Sequence, residues 1–267
     1  MSILKFLKSQ NKNLIAIETE DEKISYKNLW NLVSKTSHFI SNLNETKVVL
    51  LCEEKLLSYI FILACIKEKK TYVPLSANLS KKRILEIIKI TNSKSVINLS
   101  KTNQKINKIK VYNIKNLNEI PQKKRKTKKI RNLIAYIIFT SGSTGIPKGV
   151  SISYKSLNKY LFWLNLKFKD KKIKKISQYS DLSFDLSVME IFGAFASGST
   201  LCPIQNKFYK TYPLEFIKKY NIDCWISVPS IVDLMMLDSK NFKYILFLKN
   251  IFFCGEPLLK KHLDFLY

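Results

Sequence analysis

The chain has 267 residues, 46% of them hydrophobic, which is enough apolar content for a folded protein with a substantial buried core. Its formal net charge of +26 comes almost entirely from lysine, because only three of its 46 basic residues are arginine. Proteins that read nucleic acid depend on arginine for bidentate contacts. The composition therefore favours lysines spread over solvated faces and argues against a nucleic-acid partner.

The cysteine and histidine content excludes two further classes of protein. The five cysteines are odd in number and scattered, without a C-x-x-C pair, which argues against a disulfide framework and a zinc site. With only two histidines, no metal site is predicted. Apolar runs stay below the roughly 18 residues of a membrane span, and the first apolar stretch is too short for a secretory signal. We expect a cytoplasmic protein with no membrane insertion.

Apolar runs alternate with helix-period stretches along the chain, a pattern typical of βαβ units. It predicts an α/β fold of mostly parallel sheets covered by helices. The predicted strands are 14–17, 47–52, 71–73, 95–97, 133–139, 222–227 and 250–254. The predicted helices are 26–43, 56–67, 81–90, 155–163, 188–196 and 230–237. A polar, basic segment at about 100–131, with a strand near 109–112, is predicted to be a surface connector within one domain spanning 1–267.

Half of the six glycines fall in one stretch, residues 139–150, which reads FTSGSTGIPKGV and follows the predicted strand 133–139. Glycines let backbone N–H groups converge on phosphate oxygens, the Ser and Thr hydroxyls add donors, and Lys148 adds a positive charge. A plain turn between strand and helix requires neither the lysine nor so many hydroxyls. The stretch predicts a polyphosphate-binding loop with Lys148 as its catalytic cation. The predicted loop ligands are Thr140, Ser141, Gly142, Ser143, Thr144 and Gly145.

The pattern T-S-G-S-T-G-x-P-K-G resembles the signature loop of the adenylate-forming superfamily. That superfamily includes acyl-CoA synthetases, luciferases, the amino-acid-activating domains of nonribosomal peptide synthetases and the D-alanine:carrier-protein ligases. Residues 24–29 and 70–75, together with Arg83, resemble two further blocks of the family, whereas Ser76 and Tyr154 depart from its usual aspartate and histidine. The resemblance implies the large N-terminal, AMP-binding domain of such an enzyme, with ATP and Mg²⁺ as cofactors.

Asp185 lies between Phe184 and Leu186, and a carboxylate there is costly to bury unless a cation pairs with it. The surrounding segment resembles the family block whose aspartate binds the α-ammonium of an amino-acid substrate. The alternative is that Asp185 caps the following helix. Ser187 and Glu190 have the spacing of a capping box, which would leave Asp185 available for substrate.

Residues 225–230 and 252–258 resemble the D-alanine:carrier-protein ligases most closely. By this resemblance Cys254 lines a small amino-acid pocket, with an ordinary buried cysteine as the alternative. The same blocks make Ser227 a substrate-binding residue and place Gly255 and Glu256 in the nucleotide site.

The activity implied by the resemblance is ATP-dependent formation of an aminoacyl-adenylate, with D-alanine as a candidate substrate. The acyl group is then transferred to the phosphopantetheine thiol of a carrier protein. Family members continue with an adenine-contacting segment, a ribose-binding aspartate and a C-terminal lid domain that carries a lysine. None of these follows in this chain, so we expect a truncated N-terminal part. The alternatives are an acyl-CoA synthetase-like ligase, a non-catalytic nucleotide-binding remnant and a basic nucleic-acid binder.

Overall fold

The computed structural model describes residues 3–53, 56–106, 108–121, 132–140 and 146–267. The described strands are β1 (Ile15–Glu18), β2 (Lys23–Ser25), β3 (Lys47–Cys52), β4 (Thr71–Ser76), β5 (Ser95–Asn98), β6 (Lys110–Asn113), β7 (Ile134–Thr140), β8 (Lys148–Ser153), β9 (Lys175–Gln178), β10 (Thr200–Pro203), β11 (Cys224–Ser227) and β12 (Asn250–Phe253). The described α-helices are α1 (Ile3–Ser9), α2 (Tyr26–Ser41), α3 (Leu56–Lys67), α4 (Lys81–Thr91), α5 (Tyr154–Asp170), α6 (Leu186–Ser197), α7 (Lys207–Thr211), α8 (Pro213–Tyr220), α9 (Ile231–Leu237) and α10 (Lys260–Leu266). The described 3-10 helices are Leu117–Glu119 and Ser239–Phe247.

The strands form two sheets of six. Sheet A has the strand order β12-β11-β9-β10-β1-β2, and sheet B has the order β6-β5-β3-β4-β7-β8. Neighbouring strands are parallel except for the pairs β1–β2 and β7–β8, each at one edge of its sheet. The predicted α/β fold with mostly parallel sheets is therefore confirmed.

The chain divides into two compact units. Unit 1 comprises Met1–Tyr26, Leu161–Ser180 and Leu186–Tyr267, and it contains sheet A. Unit 2 comprises Lys27–Tyr160 and Asp181–Asp185, and it contains sheet B. Each compact unit therefore contains one of the two sheets.

The core of unit 2 follows from apolar patterning. Helix α3 is buried from Leu56 to Ile66, which matches a sequence that is apolar on all faces. Helix α4 instead buries Ile84, Ile87 and Ile88 on one face, and these pack with residues of β3, β4, β5 and β7.

The core of unit 1 is built around Trp225 on β11, whose side chain is fully buried. Phe216 and Ile217 of α8 and Met235 of α9 belong to the same buried cluster. Pro213 at the first position of α8 suits the helix start, because its fixed φ is helical and its missing N–H has no partner there. The buried cluster around Trp225 therefore supports the part of sheet A that contains β9, β11 and β12.

Several predicted boundaries move in the structure. The predicted strand 222–227 begins at Cys224, and the predicted helix 155–163 runs from Tyr154 to Asp170. The strand expected near 109–112 is β6, but Asn107 and residues 122–131 of the connector lie outside the described part. Within that part, none of the helices has the length and apolar character needed to cross a membrane.

Candidate active site

The predicted phosphate loop joins two paired strands. β7 ends at Thr140 and β8 begins at Lys148, and these two exposed residues face each other in antiparallel register. The Thr140 hydroxyl donates a hydrogen bond to the Lys148 carbonyl over 3.5 Å. The pairing brings the two ends of the loop together. The remaining predicted ligands lie outside the described residues: Ser141, Gly142, Ser143, Thr144 and Gly145.

Gly149 has a packing reason inside this hairpin. It lies opposite Phe139, and a Cβ at this position would be 2.9 Å from Ile137 Cγ2 and 3.0 Å from Phe139 Cζ. Any side chain would therefore displace β7 side chains. The close approach at Gly149 is to the neighbouring strand and needs no ligand.

Arg83 contacts the base of the loop, a contact that sequence reasoning missed. Its Nη2 atom donates to the carbonyl oxygen of Thr140 over 3.4 Å, across 57 positions of sequence. The sequence carried two signals, the rarity of arginine in a lysine-rich chain and the place of Arg83 in a block that resembles the family, but neither identified Thr140 as the partner.

Asp185 is exposed and directly precedes α6, which begins at Leu186. Burial, and after it the charge of Asp185, raises the pKa of Tyr136 on β7 to about 12. The ring of Tyr136 lies against that of Tyr72, with centroids 5.4 Å apart. Asp185 is therefore one of the charges that act on Tyr136, a residue of the strand that leads into the loop.

The predicted capping box at Ser187 and Glu190 is wrong. Because α6 begins at Leu186, Ser187 is already inside the helix, and Glu190 bonds elsewhere. Its Oε1 atom accepts hydrogen bonds from the backbone N–H of Tyr179 at 2.8 Å and of Ser180 at 3.2 Å. Asp185 therefore occupies the position just before the helix, and its assignment to substrate no longer draws support from a separate cap.

Glu190 is a fully buried acid that sequence reasoning did not place in the site. Its Oε2 atom accepts from Gln178 Nε2 at 3.4 Å, and the Ser180 hydroxyl donates to Oε1 at 3.4 Å. Burial raises the pKa of Glu190 to about 8, and these hydrogen bonds only partly oppose that effect. The carboxyl group ties α6 to the carboxyl end of β9.

Ser227 ends β11 and is fully buried. Its Oγ atom accepts from Trp225 Nε1 at 2.9 Å and donates to the Val228 carbonyl at 3.0 Å. The hydroxyl therefore satisfies the buried indole and holds the turn that follows the strand. The Ser227 O–H group is therefore already engaged by the Val228 carbonyl.

Cys254 follows β12 beside Ser227, to whose carbonyl it donates its backbone N–H over 3.4 Å. Its side chain is exposed, whereas the other four cysteines are buried. The alternative of an ordinary buried cysteine is therefore wrong. The thiol lies at the carboxyl edge of sheet A, where parallel α/β sheets commonly bind ligands.

Gly255 and Glu256 continue this edge. Gly255 has a φ of +86°, a left-handed conformation that favours glycine. The Glu256 carboxylate accepts from the backbone N–H of Ser230 at 2.9 Å and from the Ser230 hydroxyl at 3.1 Å. These bonds link the segment after β12 to the start of α9.

The two mostly parallel sheets, the Ser/Thr/Gly sequence that follows a strand of sheet B, and the acid directly before α6 agree with the resemblance of the sequence to adenylate-forming α/β enzymes. Residues 7–267 match the model of the AMP-binding enzyme family, and the chain belongs to that family.

Curated relatives agree with this assignment. The D-alanine--D-alanyl carrier protein ligase of Staphylococcus epidermidis is 30% identical over 98% of this chain and 54% of its own length. The ligase of the same name from Listeria monocytogenes is 31% identical over 90% of this chain and 50% of its own. The L-proline--[L-prolyl-carrier protein] ligase of Pseudomonas fluorescens is 36% identical over 49% of this chain and 27% of its own. The chain spans about half the length of the D-alanine ligases.

Solved structures support the fold. The Vibrio cholerae adenylation domain AlmE, in complex with glycyl-adenosine-5'-phosphate, superposes with a TM-score of 0.80 at 24% identity, over 99% of this chain and 56% of that one. The N-terminal subdomain of Klebsiella oxytoca NpsA, in complex with 3-hydroxybenzoyl-AMSN, gives 0.83 at 19% identity, over 99% of this chain and 68% of that one. The fold is thus that of an N-terminal adenylation subdomain.

Proposed function

We propose that this chain is part of a ligase that activates the carboxylate of a small amino acid with ATP. A substrate carboxylate oxygen attacks the α-phosphorus of ATP, and the bond between the α-phosphorus and the oxygen that bridges it to the β-phosphorus breaks. Pyrophosphate is released, and the product is an aminoacyl-adenylate. The observation that carries the proposal is the family match across residues 7–267, which includes the loop between Thr140 and Lys148.

In the first step the chain's task is to hold the triphosphate. Lys148 supplies positive charge to the phosphates, and the segment from Thr140 to Gly145 supplies hydroxyl and amide donors. Gly255 and Glu256 belong to the nucleotide site. In this proposal Glu256 acts by holding Ser230 and the segment after β12, because its carboxylate is already bonded there.

Mg²⁺ enters this proposal as an ion that arrives bound to ATP. Among the described residues, no group of three or more His, Cys, Asp or Glu is arranged to hold a metal. Mg²⁺ commonly binds through substrate phosphates and water with few protein ligands. When bound, the ion neutralises charge on the leaving pyrophosphate.

The substrate side rests on three residues. Asp185 pairs with the α-ammonium group, and Cys254 lines the side-chain pocket. Ser227 acts indirectly, by holding the end of β11, because its hydroxyl is buried and bonded to Trp225 and Val228. D-Alanine is the first candidate, since several curated relatives carry it in their names.

The proposed second step passes the acyl group to a carrier protein. The phosphopantetheine sulfur attacks the acyl carbon, and AMP leaves. The names of the relatives support a carrier partner. The composition is consistent with work in the cytoplasm.

The test is acid-dependent exchange of pyrophosphate into ATP, measured on the complete protein that contains this chain. Glycine, D-alanine and L-alanine are compared with one fatty and one aryl acid. We expect exchange with a small amino acid and none with the other acids. Exchange only with fatty or aryl acids would favour an acyl-CoA synthetase-like ligase. ATP binding without exchange for any acid would favour a non-catalytic remnant.

A further inference from the structure

The chain uses arginine at three positions and lysine at 43. Arg83 is the only arginine among the described residues, because Arg125 and Arg131 lie outside them. Where lysine suffices for a solvated positive charge, an arginine points to a geometry that an ammonium group does not provide.

Arg83 is mounted on a firmly placed helix. It is the third residue of α4, whose N-cap Ser80 accepts the Arg83 backbone N–H over 3.3 Å. The next residue, Ile84, is buried against sheet B with Ile87. The backbone from which the guanidinium extends is therefore fixed at its cap and along its buried face.

Among the described residues, two different nitrogens of the guanidinium contact two different groups. Nη1 lies 3.5 Å from Glu86 Oε2, and Nη2 donates to the Thr140 carbonyl oxygen over 3.4 Å. The planar fork holds both donors at a fixed separation, whereas a lysine has one nitrogen at the end of a flexible chain. Glu86 thus orients the guanidinium through Nη1, and Nη2 is directed at the Thr140 carbonyl at the end of β7.

We propose that Arg83 is a positioning residue for the phosphate loop, holding the Thr140 carbonyl so that β7 ends, and the Thr140–Lys148 pair forms, at a fixed point. Arg83 acts through Thr140 and not on the reacting atoms. The assignment deepens the proposed function, because it rests on the loop being the ATP phosphate site. It names the group that fixes the end of β7 beside Lys148.

The first test measures hydrogen–deuterium exchange of this chain at the amides that end β7 and begin β8. Arg83→Lys keeps the charge and removes the fork. We expect at least about threefold faster exchange there, with α4 amides unchanged, since only the local tether is lost. Lys82→Ala removes an exposed charge from the same turn and should leave the hairpin at the wild-type rate.

A second variant and a kinetic readout complete the test. Glu86→Gln removes the orienting charge and should give a smaller increase than Arg83→Lys. In the complete protein, Arg83→Lys should raise KM for ATP several-fold and leave KM for the amino acid unchanged. Wild-type exchange at the hairpin in Arg83→Lys would overturn the proposal, as would equal loss of protection in α4. Because amide exchange needs no turnover, it tests Arg83 even if the wild type proves inactive and the proposed function fails.

Discussion

The buried carboxylate of Glu190 accepts the backbone N–H of Tyr179 over 2.8 Å, which joins α6 to the residue that follows β9. Tyr179 in turn packs against Trp225, with ring centroids 5.5 Å apart. Trp225 donates to Ser227 Oγ. One line of contacts thus connects an acid on α6 to the end of β11 within unit 1.

Glu190 makes stability depend on pH. Its pKa is about 8 in the folded chain, well above the usual 4.5, because burial disfavours the charged form. Between about pH 4.5 and pH 8, Glu190 has lost its proton in the unfolded chain but keeps it in the folded chain. The stabilising contribution is therefore complete below about pH 4.5 and falls as the pH rises toward 8.

Glu190→Gln removes this titration. We expect the variant to gain free energy of unfolding relative to wild type as the pH rises from about 5 to about 8, by at most about 1.4 kcal/mol per pH unit. Urea unfolding at several pH values measures the difference. Glu68→Gln, a partly exposed carboxylate, is the control for loss of one negative charge. A pH-independent difference between Glu190→Gln and wild type would contradict the prediction.

Gly149→Ala should destabilise the β7–β8 hairpin. The new methyl group would lie within about 3.0 Å of Phe139 and closer still to Ile137. Overpacking of this kind costs about 1–3 kcal/mol. Urea unfolding checks the loss, and Ser151→Ala, at an exposed position of β8, is the matched control. Equal stability of the two variants would show that β7 accommodates the methyl group.

Ser227→Ala should leave the buried Trp225 N–H without its partner. We expect a loss of about 1–3 kcal/mol in the free energy of unfolding. Trp225→Phe removes the donor as well, so adding Ser227→Ala to it should cost less than in the wild type. Additive losses across this double-mutant cycle would mean that the indole–hydroxyl bond contributes nothing.

Asp185→Asn keeps the shape of the side chain and removes its charge. If the carboxylate binds the α-ammonium, KM for the amino acid should rise by roughly tenfold to a hundredfold, from about 1.5–3 kcal/mol of lost charged hydrogen bonding. KM for ATP should not change. Asp181→Asn, which alters a side-chain bond to Ser183 in the same loop, is the control. Reduced stability with a normal KM would instead identify Asp185 as a helix cap.

Elements with clear burial were predictable from sequence. The bounds predicted for β3 and α3 match the structure, because each is a mainly apolar run that a lysine limits at one end, Lys47 in β3 and Lys67 in α3. The four-residue strands β9 and β10 were missed, since KISQ and TLCP are too short to show a period. β8 was missed because Lys148 and Gly149 read as part of a loop until their pairing with β7 is seen.

The residues of the candidate site also fall into those that the sequence predicted and those that only the structure revealed. The loop at 139–150 was visible because it concentrates glycine in a glycine-poor chain. Glu190 accepts hydrogen bonds from residues 10 and 11 positions away, and Arg83 donates one to a residue 57 positions away. A local motif does not reveal such partners. The capping-box prediction failed for this reason, because the same Ser/Glu spacing also suits a helical glutamate that bonds to the backbone after β9.

We propose that this chain holds the ATP site of an amino-acid-activating ligase, and substitution of the loop lysine tests this proposal most directly. The measurement is amino-acid-dependent pyrophosphate exchange in the complete protein, comparing wild type, Lys148→Ala and the exposed control Lys155→Ala. We expect a loss of at least about tenfold for Lys148→Ala, equal to about 1.4 kcal/mol of transition-state stabilisation, and wild-type rates for the control. Undiminished exchange in Lys148→Ala would contradict it.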